Sequence, residues 1–166
     1  MIPRKEEFAM VLDFLPHGKS SEATKEPVAQ VIGELNFTLL EVVMRPDAQV
    51  LQGQKVYIGR EERKEVDHIK GRINYVDLTS SSQKYLHDVV HDIVNKREVD
   101  FVAFLNRAGS INIRSHMLEL LPGIGKKHLD AIITTRGSKL FESFADFHSM
   151  VPHVTSIDEV FTQRVI

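Results

Sequence analysis

The stretch Leu120-Leu-Pro-Gly-Ile-Gly-Lys-Lys127 decides the fold of the C-terminal part of this chain. It lies between two segments in which apolar residues recur with a helical period. Pro122 and Gly123 end the first segment and Lys126 opens the second, which predicts a tight turn between two helices. The first amides of a helix have no partner inside it and attract anions. With the charges of Lys126 and Lys127 beside them, these amides are predicted to bind a phosphate backbone.

The sequence predicts one helix on each side of this turn. Asn112 or Ser115 can cap the first helix, whose apolar face comprises Met117, Leu118 and Leu121. The second helix is predicted from about Lys126 to Arg136, with Gly137 as its left-handed C-cap. Its predicted inward-facing residues are Leu129, Ile132 and Ile133.

Two shorter helices are predicted further along the chain. Ser143 with Asp146, and Ser156 with Glu159, have the spacing of a capping box. Three aromatic residues are expected to pack beneath the first of these helices: Phe141, Phe144 and Phe147. Residues 107–166 are therefore predicted to form an all-α domain.

The N-terminal part favours short strands bounded by turn residues. The predicted strands are Phe8–Leu15, Val28–Ile32, Phe37–Met44, Lys55–Gly59 and, after a helix, Phe101–Leu105. The helix, residues 80–97, has Ser80 and Gln83 at capping-box spacing. Its apolar stripe comprises Leu86, Val89, Val90, Ile93 and Val94. Five strands with a helix before the last one predict a small OB-like β-barrel domain over residues 1–106, and hence an α+β chain.

The segment from Arg60 to Val76 is ambiguous between helix and strand. The four residues Val66, Ile69, Ile73 and Val76 fit a helical period, whereas Ile69, Ile73 and Tyr75 fit alternation. The count favours a helix through about Lys70 that continues irregularly.

Composition limits the possible classes of protein. The chain has 166 residues, 42% hydrophobic and 27% charged, and no cysteine, which predicts a packed core without disulfides or thiolate metal sites. No apolar run approaches the roughly 18 residues of a membrane span, and a cytoplasmic location is expected. The net charge is −2, but residues 107–166 hold 7 Lys and Arg against 6 Asp and Glu. Such a balance permits a local phosphate site.

The segment from Leu118 to Gly137, extended by Leu140–Phe147, resembles the helix-hairpin-helix family, in the version found in competence-type DNA receptors. Gly123 and Gly125 are expected to allow the positive φ and the close backbone approach that a side chain would obstruct. The resemblance implies that their backbone amides contact phosphate oxygens and that Ile124 is an apolar plug. Lys126 or Lys127 would add a charge contact. Arg114 and Arg136 would extend the phosphate track if they share this face.

One departure from the family concerns the second hairpin that many members carry. The corresponding stretch, Met150–Ser156, lacks the Gly-x-Gly pattern. A single intact hairpin predicts weak binding unless another part of the chain or a partner contributes.

The whole chain also resembles an uncharacterised archaeal family to which nucleotide binding has been ascribed. The similarity rests on Phe37–Val42, Val56–Gly59, Arg72–Tyr75, Asp77–Thr79 and Leu118–Lys127. It implies a barrel-like part joined to a helix-hairpin-helix part.

These observations favour a non-enzymatic protein that binds DNA or RNA without sequence specificity and needs no cofactor or metal. The alternative is a protein–protein interaction module in a translation or repair complex. His87 and His91 have metal-ligand spacing on one helix, but an ordinary amphipathic helix is the simpler interpretation. Tyr57 and Tyr75 could stack on bases, although half-buried tyrosines of a core are favoured.

Overall fold

The computed structural model describes residues 5–20, 25–111 and 115–166. Internal contacts divide the chain into two compact units, Met1–Val89 and Val90–Ile166. The fold is α+β, with a curled antiparallel sheet and five α-helices among the described residues. The domain boundary predicted at residues 106 and 107 concerns independent folding and stays a prediction.

The first unit is built on one five-stranded antiparallel sheet in the order β4-β1-β2-β3-β5. Its strands are β1 (Phe8–Leu15), β2 (Val28–Gly33), β3 (Leu39–Met44), β4 (Lys55–Tyr57) and β5 (Val66–Arg72). The first four confirm the strands predicted from their β-favouring residues, with slightly different ends. Shifts of register in β1 and between β3 and β5 give the sheet its curl.

The inner face of the sheet buries an apolar core. Its buried residues are Ala9, Val11, Ala29, Val31, Leu40, Val42, Met44, Val50, Val56, Ile58 and Val66. Alternate residues of β1, β2 and β3 supply most of this set, because successive side chains of a strand point to opposite faces.

The helix predicted through Lys70 is wrong, since residues 66–72 form β5. This strand pairs with β3, with Met44 opposite Val66 and Val42 opposite Ile69. Pairing satisfies the backbone groups that a helix would otherwise satisfy internally. Only Val66 is buried in β5, so the strand shows little of the alternation that identifies a half-buried strand.

The strand predicted at Phe101–Leu105 is also wrong, because these residues lie in helix α2 (Glu98–Arg107). Val102 and Leu105 are buried one helical turn apart, and the rings of Phe101 and Phe104 contact the ring of Phe161. A short apolar run fits a buried strand and a buried helix equally well, so its pattern does not distinguish the two. The long helix therefore follows the fifth strand instead of preceding it.

The predicted amphipathic helix is present as α1 (Ser80–Lys96), and its five apolar stripe residues are all buried. The capping prediction was wrong by one residue. The hydroxyl of Thr79, not that of Ser80, accepts a hydrogen bond from the amide of Ser82 at 3.0 Å. The division between the two compact units falls inside this helix.

The second unit continues with α3 (Lys126–Ser138), α4 (Phe144–Met150) and α5 (Ile157–Val165). The predicted side-chain cap of α4 is confirmed, since the Ser143 hydroxyl accepts from the amide of Asp146 at 2.9 Å. Ser156 precedes α5 but makes no side-chain cap bond. The three predicted phenylalanines are buried: Phe141, Phe144 and Phe147.

The helix predicted before the turn is only a single 3-10 turn, Met117–Leu120. His116 caps it, because its Nδ1 accepts from the amide of Leu118 at 3.1 Å. Ser115 is therefore not the cap, and Asn112 lies outside the described residues. His116 and Leu118 are buried, so tertiary packing replaces the missing helical turns.

Two predictions about α3 are corrected. Gly137 lies inside the helix and has no positive φ, since the helix continues to Ser138 and Lys139 is the C-cap. Leu129 and Ile132 are buried as predicted, but Ile133 is 37% exposed. The apolar face of α3 is thus narrower than the sequence suggests.

Candidate phosphate-binding site

The turn before α3 is a tight β-turn over Leu121–Ile124. The amide of Ile124 donates to the carbonyl of Leu121 at 3.1 Å. Gly123 has φ +79°, the left-handed conformation that a type II turn requires at the position after proline. The predicted need for a glycine at residue 123 is confirmed, because a side chain there would be strained.

Apolar side chains fix this turn to the unit that carries it. Leu121 and Ile124 are 4% and 5% exposed, whereas Pro122 and Gly123 between them lie at the surface. Ile124 is therefore buried, as expected for an apolar plug. The backbone between Leu121 and Ile124 therefore stays at the surface, while the buried side chains of these two residues anchor the two ends of the turn.

Gly125 forms the junction between the turn and α3, as the N-cap residue. Its φ of −89° is not positive, so the prediction that it needs a left-handed conformation was wrong. The surroundings of Gly125 are open, since a Cβ built on it would meet no heavy atom within 4 Å. Gly125 thus matters by leaving the backbone accessible.

Backbone donors exceed acceptors at this junction. The carbonyl of Gly125 accepts from the amide of Leu129 at 2.9 Å, which is the first bond of α3. The amides of Gly125, Lys126 and Lys127 have no acceptor among the residues that the structure describes. These donors occupy the positive end of the helix macrodipole, where an anion is stabilised.

Two ammonium groups stand beside the free amides. Lys126 and Lys127 are both exposed, and neither forms an ion pair within the described ranges. Two carboxylates are close in sequence: Glu119, which accepts from the amide of His116 at 3.1 Å, and the exposed Asp130 of α3. Within the described ranges, no carboxylate accepts a hydrogen bond from these amides.

His128 is a further residue beside the turn, and no sequence pattern indicates its role. Nδ1 of His128 lies 3.0 Å from the carbonyl oxygen of Gly123. This hydrogen bond spans the turn and ties the first turn of α3 to the left-handed glycine. A histidine directly after a basic pair gives no signal of such a contact, because the contact depends on the conformation of the turn.

The other predicted site residues are divided. Gly123, Ile124, Gly125, Lys126 and Lys127 are contiguous and share the turn. Arg136 is half-buried near the other end of α3, where its Nη1 donates to the carbonyl of Leu105 at 3.0 Å. Arg114 lies outside the described residues.

The histidines of α1 belong to no candidate metal cluster within the described part of the chain. No group of three or more His, Cys, Asp or Glu side chains that could hold a metal ion is found in the described part of the chain. His91 instead contacts Asp158 of α5, with 2.9 Å between Nε2 and Oδ2. Burial by itself raises the pKa of the Asp158 carboxyl. The hydrogen bond from His91, hydrogen bonds from backbone amides and the electrostatic attraction of His91 lower it by more, so the net pKa is below the ordinary value.

Tyr57 is half-buried, as its core interpretation predicts. Its ring packs edge-on against Phe8, with 5.3 Å between ring centroids, and its hydroxyl accepts from the amide of Glu61 at 3.1 Å. Tyr75 is 48% exposed, so the core interpretation was wrong for this residue.

Comparisons with known proteins assign the chain to a family. Residues 5–166 match the model described as "Protein of unknown function (DUF655)". The chain belongs to the DUF655 family. A relative from Methanocaldococcus jannaschii, "Uncharacterized protein MJ0038", is 41% identical over 150 residues, which cover 90% of this chain and 69% of the relative.

A solved DUF655 structure has the same fold. The crystal structure of Af1531 from Archaeoglobus fulgidus matches with a TM-score of 0.90 and 43% identity, over 96% of this chain and 91% of that one. The predicted similarity to an uncharacterised archaeal family is thereby confirmed. The descriptions of these proteins mention neither a helix-hairpin-helix nor nucleotide binding.

The helices also bear on membrane insertion. Among the described residues, no helix combines the length and the apolar character needed to cross a bilayer.

Proposed function

We propose that this DUF655 protein is a non-enzymatic, cytoplasmic nucleic-acid-binding protein that holds the sugar–phosphate backbone at the Leu121–Lys127 turn. The observation that carries the proposal is a set of three amides, at Gly125, Lys126 and Lys127, that have no acceptor within the described ranges. They are flanked by two exposed ammonium groups that form no ion pair there. Backbone amides at a helix start and lysine side chains are both preferred ligands of phosphate oxygens.

The chemistry of the turn favours contact with phosphate over contact with bases. Its donors are backbone amides and lysine ammonium groups, which are indifferent to base identity. Contacts of this kind fix a protein on a nucleic acid without reading its sequence. Binding should therefore be non-sequence-specific and strongly dependent on salt.

We interpret the curled five-stranded sheet as an OB-like barrel, and the 3-10 turn, the β-turn and α3 as a shortened helix-hairpin-helix. The left-handed Gly123, the buried Ile124 and the open surroundings of Gly125 support the second interpretation. A hairpin whose first helix is only one 3-10 turn offers a small contact area, which agrees with weak binding.

A binding measurement tests the proposal. Fluorescence anisotropy with short DNA and RNA duplexes and single strands, in low and moderate salt, should show binding that weakens steeply as salt is added. Lys126→Glu with Lys127→Glu should abolish it. Lys84→Glu with Lys96→Glu on α1 is a matched control with the same change of net charge, and it should retain binding. Absence of binding by the unaltered protein in low salt, or equal loss in both double variants, would contradict the proposal.

A second candidate function is docking onto a protein partner. A groove of about 280 Å³ in the second unit is lined mainly by apolar residues between α2 and the segment before α4. Two of its residues are well exposed, Val99 at 82% and Leu140 at 58%. Exposed apolar surface of this kind often marks a protein contact.

The two candidates make different predictions for variants. A protein that acts through the groove should lose its partner when Leu140 is changed to Glu and keep it when Lys126 and Lys127 are changed. A pull-down from native extract, with and without nuclease, distinguishes them, because partners joined only through nucleic acid are released by nuclease.

A further inference from the structure

We infer that His128 is a positioning residue that keeps the Leu121–Lys127 turn in its anion-binding conformation. The inference rests on the proposed function and deepens it, since it names how the same site is held. Its basis is the hydrogen bond between Nδ1 of His128 and the carbonyl of Gly123, at 3.0 Å.

The direction of this hydrogen bond is fixed by chemistry. A carbonyl oxygen only accepts, so Nδ1 of His128 carries the hydrogen and donates it. In the neutral imidazole, Nε2 is then left as an acceptor. A neutral His128 thus has no free N–H for a phosphate oxygen, and its role lies in the contact with Gly123.

The bond acts on the most constrained residue of the turn. Gly123 has φ +79°, and its two peptide groups determine where the chain goes before Gly125. Its carbonyl shares a peptide group with the amide of Ile124, so without His128 the 3.1 Å bond from that amide to Leu121 alone resists rotation of the carbonyl. Rotation towards the neighbouring amides would place a partial negative charge there. The imidazole holds this oxygen, so that the donors of Gly125 and Lys126 remain the polar groups presented to an anion.

No other side chain duplicates this contact among the described residues. The charged residues closest to His128 in sequence are Lys126, Lys127 and Asp130 on α3, and Glu119 lies on the preceding 3-10 turn. Glu119 is engaged with the amide of His116, and none of the four pairs with the imidazole. Removing the imidazole therefore leaves the Gly123 carbonyl without a donor from the part of the chain that the structure describes.

Three substitutions separate positioning from direct contact and from general packing. Asn places an amide nitrogen near the position of Nδ1, so His128→Asn can restore the bond to Gly123. Gln places its amide nitrogen near the position of Nε2, so His128→Gln can replace a contact with a ligand but not the bond to Gly123. His128→Ala removes both. Asn and Gln have the same functional group, which makes them a matched pair.

The first measurement uses the free protein and is independent of nucleic acid. Amide proton and nitrogen chemical shifts of Gly123, Gly125 and Lys126 report the conformation of the turn. We expect them to move in His128→Ala and His128→Gln and to return close to the original values in His128→Asn. Unchanged shifts in all three variants, or restoration by Gln and not by Asn, would overturn the inference.

The second measurement is the affinity for a short DNA duplex in low salt. We expect about a fivefold loss for the Ala and Gln variants, the factor that one ordinary hydrogen bond represents, and recovery with Asn. Recovery with Gln alone would show that Nε2 touches the ligand and would reject positioning. If the unaltered protein binds no nucleic acid, the proposed function fails, while the chemical shifts still decide the role of His128.

Discussion

Asn106 and Phe141 exchange two hydrogen bonds, one in each direction. The side-chain amide of Asn106 donates to the carbonyl of Phe141 at 2.9 Å. In return, the backbone amide of Phe141 donates to Oδ1 of Asn106 at 2.8 Å. One side chain at the end of α2 thereby satisfies both backbone polar groups of a residue 35 positions away, in an irregular segment. The ring of Phe141 is buried against Phe147, with 4.9 Å between ring centroids, so the polar pair fixes an apolar contact.

Asn106→Ala should lower the free energy of unfolding by about 2–3 kcal/mol, because it leaves the amide and the carbonyl of Phe141 without partners. Asn106→Asp keeps the acceptor and loses the donor, and it should cost less. Urea denaturation followed by circular dichroism measures both. Asn95→Ala, which removes a hydrogen bond to its own helix at an exposed position, is the control and should cost under about 1 kcal/mol. Equal losses at Asn95 and Asn106 would contradict the prediction.

Gln30 is a fully buried polar residue in β2 and should be sensitive to truncation. Its amide nitrogen donates to Glu41 and to the carbonyl of Asp77, and its oxygen accepts from the amide of Thr79 and the hydroxyl of Ser82. Gln30→Ala removes four hydrogen bonds and, within the described ranges, leaves the carbonyl of Asp77 and the amide of Thr79 without a partner. It should cost about 3 kcal/mol or more.

The control for Gln30 is another glutamine, Gln83, which donates one hydrogen bond at a less buried position. Gln83→Ala should change the free energy of unfolding by about 0.5 kcal/mol. A loss at Gln30 no larger than this would show that water enters and replaces the buried bonds.

The Asp158 carboxyl should make stability depend on pH. Its pKa is lowered in the folded protein from the ordinary value of 3.8. The folded state then binds this proton less readily than the unfolded state does, so the stabilisation is present above the ordinary value. It is lost as the pH falls through the lowered pKa.

Asp158→Asn tests this dependence. The variant should be less stable than the unaltered protein near pH 6, and the two should converge as the pH falls below about 4. Melting temperatures across this range are the measurement. Asp130→Asn, at an exposed site on α3 without an ion pair in the described ranges, serves as the control and should show no such convergence.

The two glycines of the turn should respond differently to alanine. Gly123 has φ +79°, so Gly123→Ala places a side chain in the left-handed region and should cost about 1 kcal/mol of stability. Gly125 has φ −89° and open surroundings, so Gly125→Ala should cost about 0.5 kcal/mol, as expected for the loss of a favoured N-cap residue. Urea denaturation of the two variants decides the order, and a larger loss at Gly125 would contradict it.

Much of the fold could be predicted where one residue pattern dominates. The stripe of α1 and the first four strands have strong periodicity or dense β-branched runs, and the structure contains them. Val66–Arg72 was misassigned because a mostly exposed edge strand has no apolar face to reveal its period. Phe101–Leu105 was misassigned because its aromatic rings pack against Phe161, a residue 60 positions after Phe101.

The candidate site was predictable in its local part only. The conformation of Gly123 follows from the proline before it and the short turn, so sequence reasoning reached it. The bond between Arg136 and the carbonyl of Leu105, and the bond between His128 and Gly123, depend on how segments pack or bend. Residue spacing carries no information about either of them.

The outer strands of the sheet have a consequence for solubility. β4 is three residues long, and β5 shifts register twice against its neighbour and exposes Asp67, Lys70 and Arg72. Short, irregular and charged borders are poor templates for the strand of another molecule. We therefore expect the two outer strands to resist fibril growth when this protein is concentrated.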